Sequence, residues 1–200
     1  MKKIINLFFI LIAFSCTSTK KYNQIIILIL GLPCSNKSEI AKELASDLNL
    51  SLININDYLK QNSFVEKVFS DVKFKLYEHP DNYDWEKLVL DVTNKKNAGV
   101  VLYGNYIDNT KLNFEIDFCY FFNMNSNLCK NILIEKQMLP YKEDDEKVKI
   151  YFKDVFNPIY EQLKQDLKIN KFFNIKENTT FDESYDELFD SLMIQIKKKL

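Results

Sequence analysis

The sequence predicts an α/β protein built around a mostly parallel sheet of five strands. Short apolar runs alternate along the chain with longer segments whose apolar residues recur every three or four positions. The first run, residues 25–30, is apolar at every position, which is typical of a strand buried on both faces of a parallel sheet. Because strands that alternate with helices build βαβ units, we expect three layers, with helices on both faces of the sheet.

The same patterns give the order of the elements. Strands are predicted at 25–30, 51–55, 99–103, 116–122 and 171–175, and helices at 38–48, 85–96, 126–137, 147–167 and 181–199. The first helix shows the expected spacing, with Ile40, Leu44 and Leu48 on one face. Pro158 predicts a kink or break in the fourth helix, because its nitrogen carries no hydrogen. The polar segment 139–146 between two helices predicts a short, mobile lid.

Length, charge and composition exclude several classes of function. A chain of 200 residues suits one domain, and a net charge of -1 argues against a protein that holds nucleic acid by bulk electrostatics. All 27 basic residues are lysine, so a site that usually takes arginine must use lysine. The lone histidine, His79, nearly excludes a histidine triad, and we expect it to shape a turn. Four cysteines without a CxxC pair argue against a zinc site.

Residues 31–38 carry the clearest motif. They read Gly-Leu-Pro-Cys-Ser-Asn-Lys-Ser, between a buried strand and a helix, and match the phosphate-loop pattern G-x-x-x-x-G-K-[ST] except at its second glycine. We expect Gly31, Ser35 and the loop backbone to cradle the phosphates of a ligand and Lys37 to neutralise them. Ser38 is the expected ligand of Mg²⁺. Asn36 replaces the glycine, and asparagine tolerates left-handed backbone angles.

The first twenty residues are predicted separately from a single α/β domain at 21–200. Lys2 and Lys3 precede an apolar run at 4–14 and then Cys16, which resembles a secretory signal or a lipoprotein cleavage box. The alternative is an upstream extension with no targeting role. A nucleotide-binding fold favours the cytoplasm, where ATP is available. The other option is a secreted or membrane-anchored protein, with membrane contact only through residues 1–16.

Four further segments follow the loop in a recognisable order. They read Ile-Asn-Ile-Asn-Asp-Tyr at 53–58, Tyr-Glu-His-Pro-Asp at 77–81, Val-Val-Leu-Tyr-Gly at 100–104, and Tyr-Phe with Pro-Ile-Tyr at 151–152 and 158–160. From residue 25 onward the chain thereby resembles the nicotinamide riboside kinase and uridine kinase group. The resemblance implies a P-loop NTPase fold, ATP with Mg²⁺ as donor, and transfer of the γ-phosphate to the 5′-hydroxyl of a ribonucleoside.

The resemblance also implies roles for individual residues. Asn56 stands where the group carries an aspartate that acts as general base, and an amide cannot take up a proton at neutral pH. Asp57 is the alternative base, although neighbouring strand residues point to opposite faces. Tyr103 replaces a glutamate that organises Mg²⁺ and the substrate side of the site.

Three more positions complete the implied site. Tyr77 and Glu78 match an aromatic residue and an acid that contact the substrate. Lys130 belongs to a lid segment in which the usual arginines are missing. The sequence therefore predicts a nucleoside kinase with weakened catalysis. The alternative is an inactive kinase-fold protein that binds nucleotide or a protein partner.

Overall fold

A computed structural model describes residues 24–60, 64–136, 138–139 and 143–199. Its central sheet is parallel throughout and has five strands, as the sequence predicts. These strands are β1 (Ile26–Gly31), β2 (Ser51–Asn54), β5 (Val100–Gly104), β6 (Phe118–Met124) and β7 (Lys171–Ile175), in the order β2-β5-β1-β6-β7. The carboxyl ends of the parallel strands therefore share one edge of the sheet, with the end of β1 between those of β5 and β6.

The helices lie close to their predicted positions. They are α1 (Lys37–Asp47), α2 (Trp85–Lys95), α3 (Ser126–Glu135), α4 (Asp145–Ile150), α5 (Asn157–Asp166) and α6 (Phe181–Lys199). Strand β1 is buried along its whole length. The inner face of α1 buries Ile40, Ala41 and Leu44 completely, and this burial of apolar surface fixes the helix beside the sheet.

Pro158 distorts the fourth predicted helix earlier than expected. A π-helical turn, Tyr151–Phe156, separates α4 from α5, and the proline lies in the first turn of α5. Proline cannot donate to the carbonyl of residue 154, and its ring crowds that oxygen. The wider turn accommodates this missing bond without ending the helix. Residues 140–142 of the predicted lid lie outside the described residues, and α4 begins at Asp145.

A β-hairpin was not predicted. Strands β3 (Glu66–Phe69) and β4 (Val72–Lys75) pair antiparallel, with Phe69 opposite Val72. The two connecting residues, Ser70 and Asp71, both have positive φ, at 48° and 63°. That geometry is typical of a two-residue type I′ turn, whose twist matches that of the strands. Phe74 on β4 is fully buried, which anchors the hairpin to the core.

The predicted signal-like segment, residues 1–20, lies outside the described residues, as does Cys16. Within the described ranges, no helix combines the length and the apolar character needed to cross a bilayer. The cysteines behave as the sequence indicates, because Cys119 and Cys129 are both buried and unbridged.

Candidate active site

The segment after β1 forms a tight loop that leads into α1. A side chain at Gly31 would overlap the carbonyl oxygen of Phe122, so only glycine fits there. Two loop residues other than glycine take left-handed backbone angles, Cys34 with φ 64° and Asn36 with φ 57°. Asparagine adopts this region more readily than most residues. The structure thus confirms that Asn36 keeps the backbone conformation expected of the missing glycine.

The N-terminal end of α1 is open to an anion. Asn36 is its N-cap residue, yet its side chain makes no capping hydrogen bond, and the first N–H groups of an α-helix lack carbonyl partners within the helix. In the described part of the chain, the buried Ser35 hydroxyl also has no hydrogen-bond partner. Unsatisfied donors around a helix N-terminus favour a phosphate group. The loop is therefore suited to a phosphate group.

Lys37 carries its ammonium group into this loop. The residue is 7% exposed, and Nζ donates a hydrogen bond to the Leu32 carbonyl oxygen at 3.0 Å. Burial lowers the pKa of Lys37 to about 8, against opposing effects of Cys34, Cys129 and Glu78. At pH 7 the side chain is thus a desolvated cation, and a bound phosphate would supply a full counter-charge.

Ser38 and Glu39 lie side by side at the start of α1. The Ser38 hydroxyl donates to Glu39 Oε2 at 2.7 Å, and this bond is the main cause of the lowered pKa of the Glu39 carboxyl. An ionised carboxylate beside a hydroxyl suits Mg²⁺, which takes oxygen ligands and completes its shell with water and phosphate oxygens. Across the described residues, no group of three His, Cys, Asp or Glu side chains forms a metal site.

Asn56 and Asp57 do not lie on a strand. Strand β2 ends at Asn54, and both residues belong to the 3₁₀ turn Ile55–Tyr58. The expectation that they point to opposite faces of a sheet is therefore wrong. The Asn56 side chain is half-buried and accepts a hydrogen bond from the backbone N–H of Asn105 at 3.4 Å. Asp57 is exposed, and Asn54 Nδ2 donates to its Oδ1 at 2.6 Å.

Tyr103 lies at the carboxyl end of β5, a strand that contacts both the 3₁₀ turn and α1. Burial raises the pKa of its phenol, and the charges of Asp57 and Glu39 raise it further. Both carboxylates thus lie near Tyr103, and Glu39 in turn contacts Ser38. Tyr103 stays neutral at pH 7, so the carboxylates beside it are the groups able to accept a proton or bind Mg²⁺.

Glu78 is a buried acid near Lys37. It is 7% exposed, and burial raises its pKa to about 7, against the lowering effects of hydrogen bonds and Lys37. The Tyr160 hydroxyl donates to its Oε1 at 3.4 Å. Tyr77, the other predicted substrate residue, packs edge-on against Phe64 with ring centroids 5.1 Å apart.

Asn82 holds the Glu78 segment in place, a role that the sequence did not reveal. Its fully buried side chain donates to the Leu76 and Tyr77 carbonyls and accepts from the Val65 N–H at 2.8 Å. The preceding residues form a turn in which His79 Nδ1 accepts from the Asp81 N–H at 3.3 Å. The prediction that His79 shapes a turn is confirmed. Asn82 is one of many asparagines, and only the fold distinguishes it.

A cavity of about 680 Å³ opens beside Glu78. The hairpin contributes Lys67 and Phe69, and the loop after β5 contributes residues 106–110. Residues of the π-turn and α5 form the opposite wall. In open parallel sheets, ligands bind in the crevice beyond the carboxyl ends of the strands. The cavity occupies this position. Glu78 lines it and is close enough to Lys37 for the two charges to interact.

Comparison with solved structures shows the same architecture elsewhere. A gluconokinase from Sinorhizobium meliloti 1021 matches with a TM-score of 0.56 and 9% sequence identity, over 88% of this chain and 95% of that chain. A shikimate kinase from Bacteroides thetaiotaomicron matches with a TM-score of 0.54 and 16% identity, over 84% of this chain and 98% of that chain. No protein family model and no curated protein matches the sequence.

This chain has the P-loop kinase fold. The match is at the level of fold, and the comparisons do not confirm the nicotinamide riboside kinase group that the sequence resembles. In the P-loop kinase fold of this chain, the 3₁₀ turn after β2 and Tyr103 at the end of β5 meet near the start of α1. Residues that are far apart in sequence therefore form one edge of the site.

The P-loop kinase fold also brings α3 against the loop. The Cys129 thiol lies 3.6 Å from the Pro33 carbonyl oxygen. Lys136, which follows α3, lies close enough to lower the pKa of Cys34, although burial of that thiol raises it overall. Lys130, the predicted lid residue, is half-buried on α3 directly after Cys129. The end of α3 thus supplies a second cation to the loop at Lys136.

Proposed function

We propose that this protein transfers the γ-phosphoryl group of ATP to a hydroxyl group of a small molecule, with a ribonucleoside as acceptor. The observation that carries the proposal is the desolvated Lys37 ammonium inside a loop of unsatisfied donors. Lys37 would neutralise the β- and γ-phosphates while the loop N–H groups and Ser35 hold them. A cavity of about 680 Å³ lies within the size range of small-molecule sites.

Mg²⁺ supplies charge neutralisation between the phosphates when it is bound with ATP. Ser38 is the protein ligand that we propose for it, with Glu39 and Asp57 as nearby carboxylates. Lys136, whose charge acts on Cys34 of the loop, and Lys130 on α3 are the cations that we propose to stabilise the negative charge that develops during transfer. These lysines provide point charges rather than the planar fork of arginine.

Asp57 is the group that we propose to accept the proton of the attacking hydroxyl. It is exposed, its carboxylate is oriented by Asn54, and it lies near Tyr103. The acceptor would bind in the cavity beside Glu78, with its attacking hydroxyl directed towards Asp57 and the phosphate loop. Asn56 orders the loop after β5 instead, because its side chain accepts from the Asn105 backbone.

A matched pair of substitutions tests the assignment of the base. Asp57→Asn should lower kcat by about 10²–10⁴-fold, because a positioned base contributes that much. Asn56→Asp should leave kcat unchanged. Both are measured with nicotinamide riboside, uridine and cytidine as acceptors and ATP–Mg²⁺ as donor, with Lys37→Ala as the inactive reference. A gain in Asn56→Asp without a loss in Asp57→Asn would assign the base to position 56 and contradict the proposal.

A further inference from the structure

The cavity beside Glu78, which the proposed function takes as the acceptor site, is called the acceptor cavity below. Its charged side chains are mostly acidic. The four carboxylates that line it are Glu78, Asp108, Asp154 and Asp166, and the cationic side chains are Lys67 and, when protonated, His79. The chain contains no arginine, so no guanidinium can bind a carboxylate or phosphate of the acceptor. The cavity therefore presents a surplus of negative charge to whatever enters it.

Three of these carboxylates, Asp108, Asp154 and Asp166, have no ion-pair partner among the described residues. Asp108 Oδ1 accepts from the backbone N–H and hydroxyl of Thr110 at 3.0 and 2.7 Å. Asp166 Oδ1 accepts from Gln162 Nε2 at 2.7 Å. All of these donors are neutral, so they orient the carboxylates without cancelling their charge.

Asp154 is the carboxylate most available to a ligand. It lies on the π-helical turn beside Pro158 and is half-buried in the cavity wall. Within the described ranges, no hydrogen bond or ion pair reaches its side chain. The π-turn that accommodates Pro158 thus places an unpaired carboxylate on the cavity.

The one lysine among the described lining residues is already engaged. Lys67 Nζ lies 5.1 Å from the centre of the Phe69 ring, a cation–π contact that helps to hold it on the hairpin. His79 is committed to its turn through Nδ1. Neither offers the convergent cations that a carboxylate or phosphate group would need.

We infer that the cavity selects neutral or positively charged polyhydroxy acceptors and rejects acceptors that carry a carboxylate or a phosphate, with Asp154 as a specificity-determining residue. This inference rests on the proposed function, because it takes the cavity as the acceptor site. An added carboxylate would enter a site of like charge and lose its water without gaining a cation.

Two matched ligand pairs test the inference by direct binding. Each pair differs by one acidic group: nicotinamide riboside with nicotinic acid riboside, and uridine with orotidine. Calorimetry on the full chain at pH 8 should show at least about tenfold weaker binding of the acidic member of each pair, since tenfold corresponds to only about 1.4 kcal/mol. Asp154→Asn should reduce the difference in affinity between the two members of each pair. Glu135→Gln, which removes one exposed charge on α3 outside the cavity, should preserve it.

The outcomes separate this inference from the proposed function. Binding does not require turnover, so an inactive protein that still discriminates within the pairs would uphold the cavity inference and contradict the kinase proposal. Equal or tighter binding of the acidic members would overturn the inference even in an active kinase. The inference would also be overturned if none of the four ligands bound, or if Asp154→Asn and Glu135→Gln had the same effect on the affinity difference within each pair.

Discussion

At the level of single residues, the site depends on charged groups placed where little water reaches them. Lys37 and Glu78 are each 7% exposed, and burial shifts the pKa of each towards its neutral form, to about 8 and about 7. A bound phosphate would favour the charged form of Lys37. Such opposed shifts in one cleft are typical of functional sites.

Glu78 should make stability depend on pH. Its pKa is raised from 4.5 to about 7, so the folded protein holds a proton that the unfolded chain has lost. Stability should therefore fall as pH rises from 4.5 to 7, by about 3 kcal/mol in total. Glu78→Gln keeps an acceptor for Tyr160 and removes this loss. Its stability gain over the parent, measured by urea unfolding, should grow across that pH range.

Glu135→Gln is the control for this prediction, since Glu135 is exposed on α3. Its stability difference from the parent should not grow between about pH 4.5 and 7. If the stability gain of Glu78→Gln over the parent were the same below pH 4.5 and above pH 7, Glu78 would not titrate in a buried environment, and the prediction would be wrong.

At the level of elements, the hairpin depends on a turn made of unfavourable residues. Ser70 and Asp71 both hold positive φ, which asparagine followed by glycine adopts with less strain. The double substitution Ser70→Asn with Asp71→Gly should therefore raise stability by about 1 kcal/mol. Thermal unfolding measures this change. Ser70→Val is the opposite control and should lower stability, because a β-branched residue is strained at positive φ.

The sequence predicted the elements that have strong periodicity and missed those that depend on tertiary contacts. Helix α6 and strand β7 have their predicted bounds because their apolar residues follow one period without a competing signal. The hairpin was missed because its turn reads Ser-Asp rather than Asn-Gly, and because Lys67 and Lys73 give it a polar appearance. In the long helix, Pro158 signalled a break, but a π-turn of six residues kept the helix continuous.

Only the part of the candidate site that is contiguous in sequence could be predicted. The phosphate loop is contiguous in sequence, so Lys37 and Ser38 could be recognised from their spacing. The acids of the cavity come from separate elements, and only the fold brings Asp108, Asp154 and Asp166 together. The orientation of Asp57 could not be predicted, because the sequence does not show that the chain continues from β2 as a 3₁₀ turn.

At the level of the whole molecule, the strand order determines where chemistry can occur. Strand β1 lies between β5 and β6, so the phosphate loop, the end of β5 and the start of α3 meet at one edge of the sheet. The hairpin and α5 extend beyond that edge and line the acceptor cavity. Under the proposed function, this arrangement would join a donor site at Lys37 to an acceptor site at Glu78.

The central claim is that the loop at 31–38 binds ATP with Mg²⁺, and calorimetry on the full chain tests it most directly. Three proteins are titrated with ATP–Mg²⁺: the parent, Lys37→Ala, and Lys42→Ala, whose exposed lysine lies on the same helix. We predict one site per chain, unchanged affinity in Lys42→Ala, and about 100-fold weaker binding in Lys37→Ala, equivalent to about 3 kcal/mol for a charge-assisted phosphate contact. No binding by the parent, or equal binding by all three proteins, would contradict the claim.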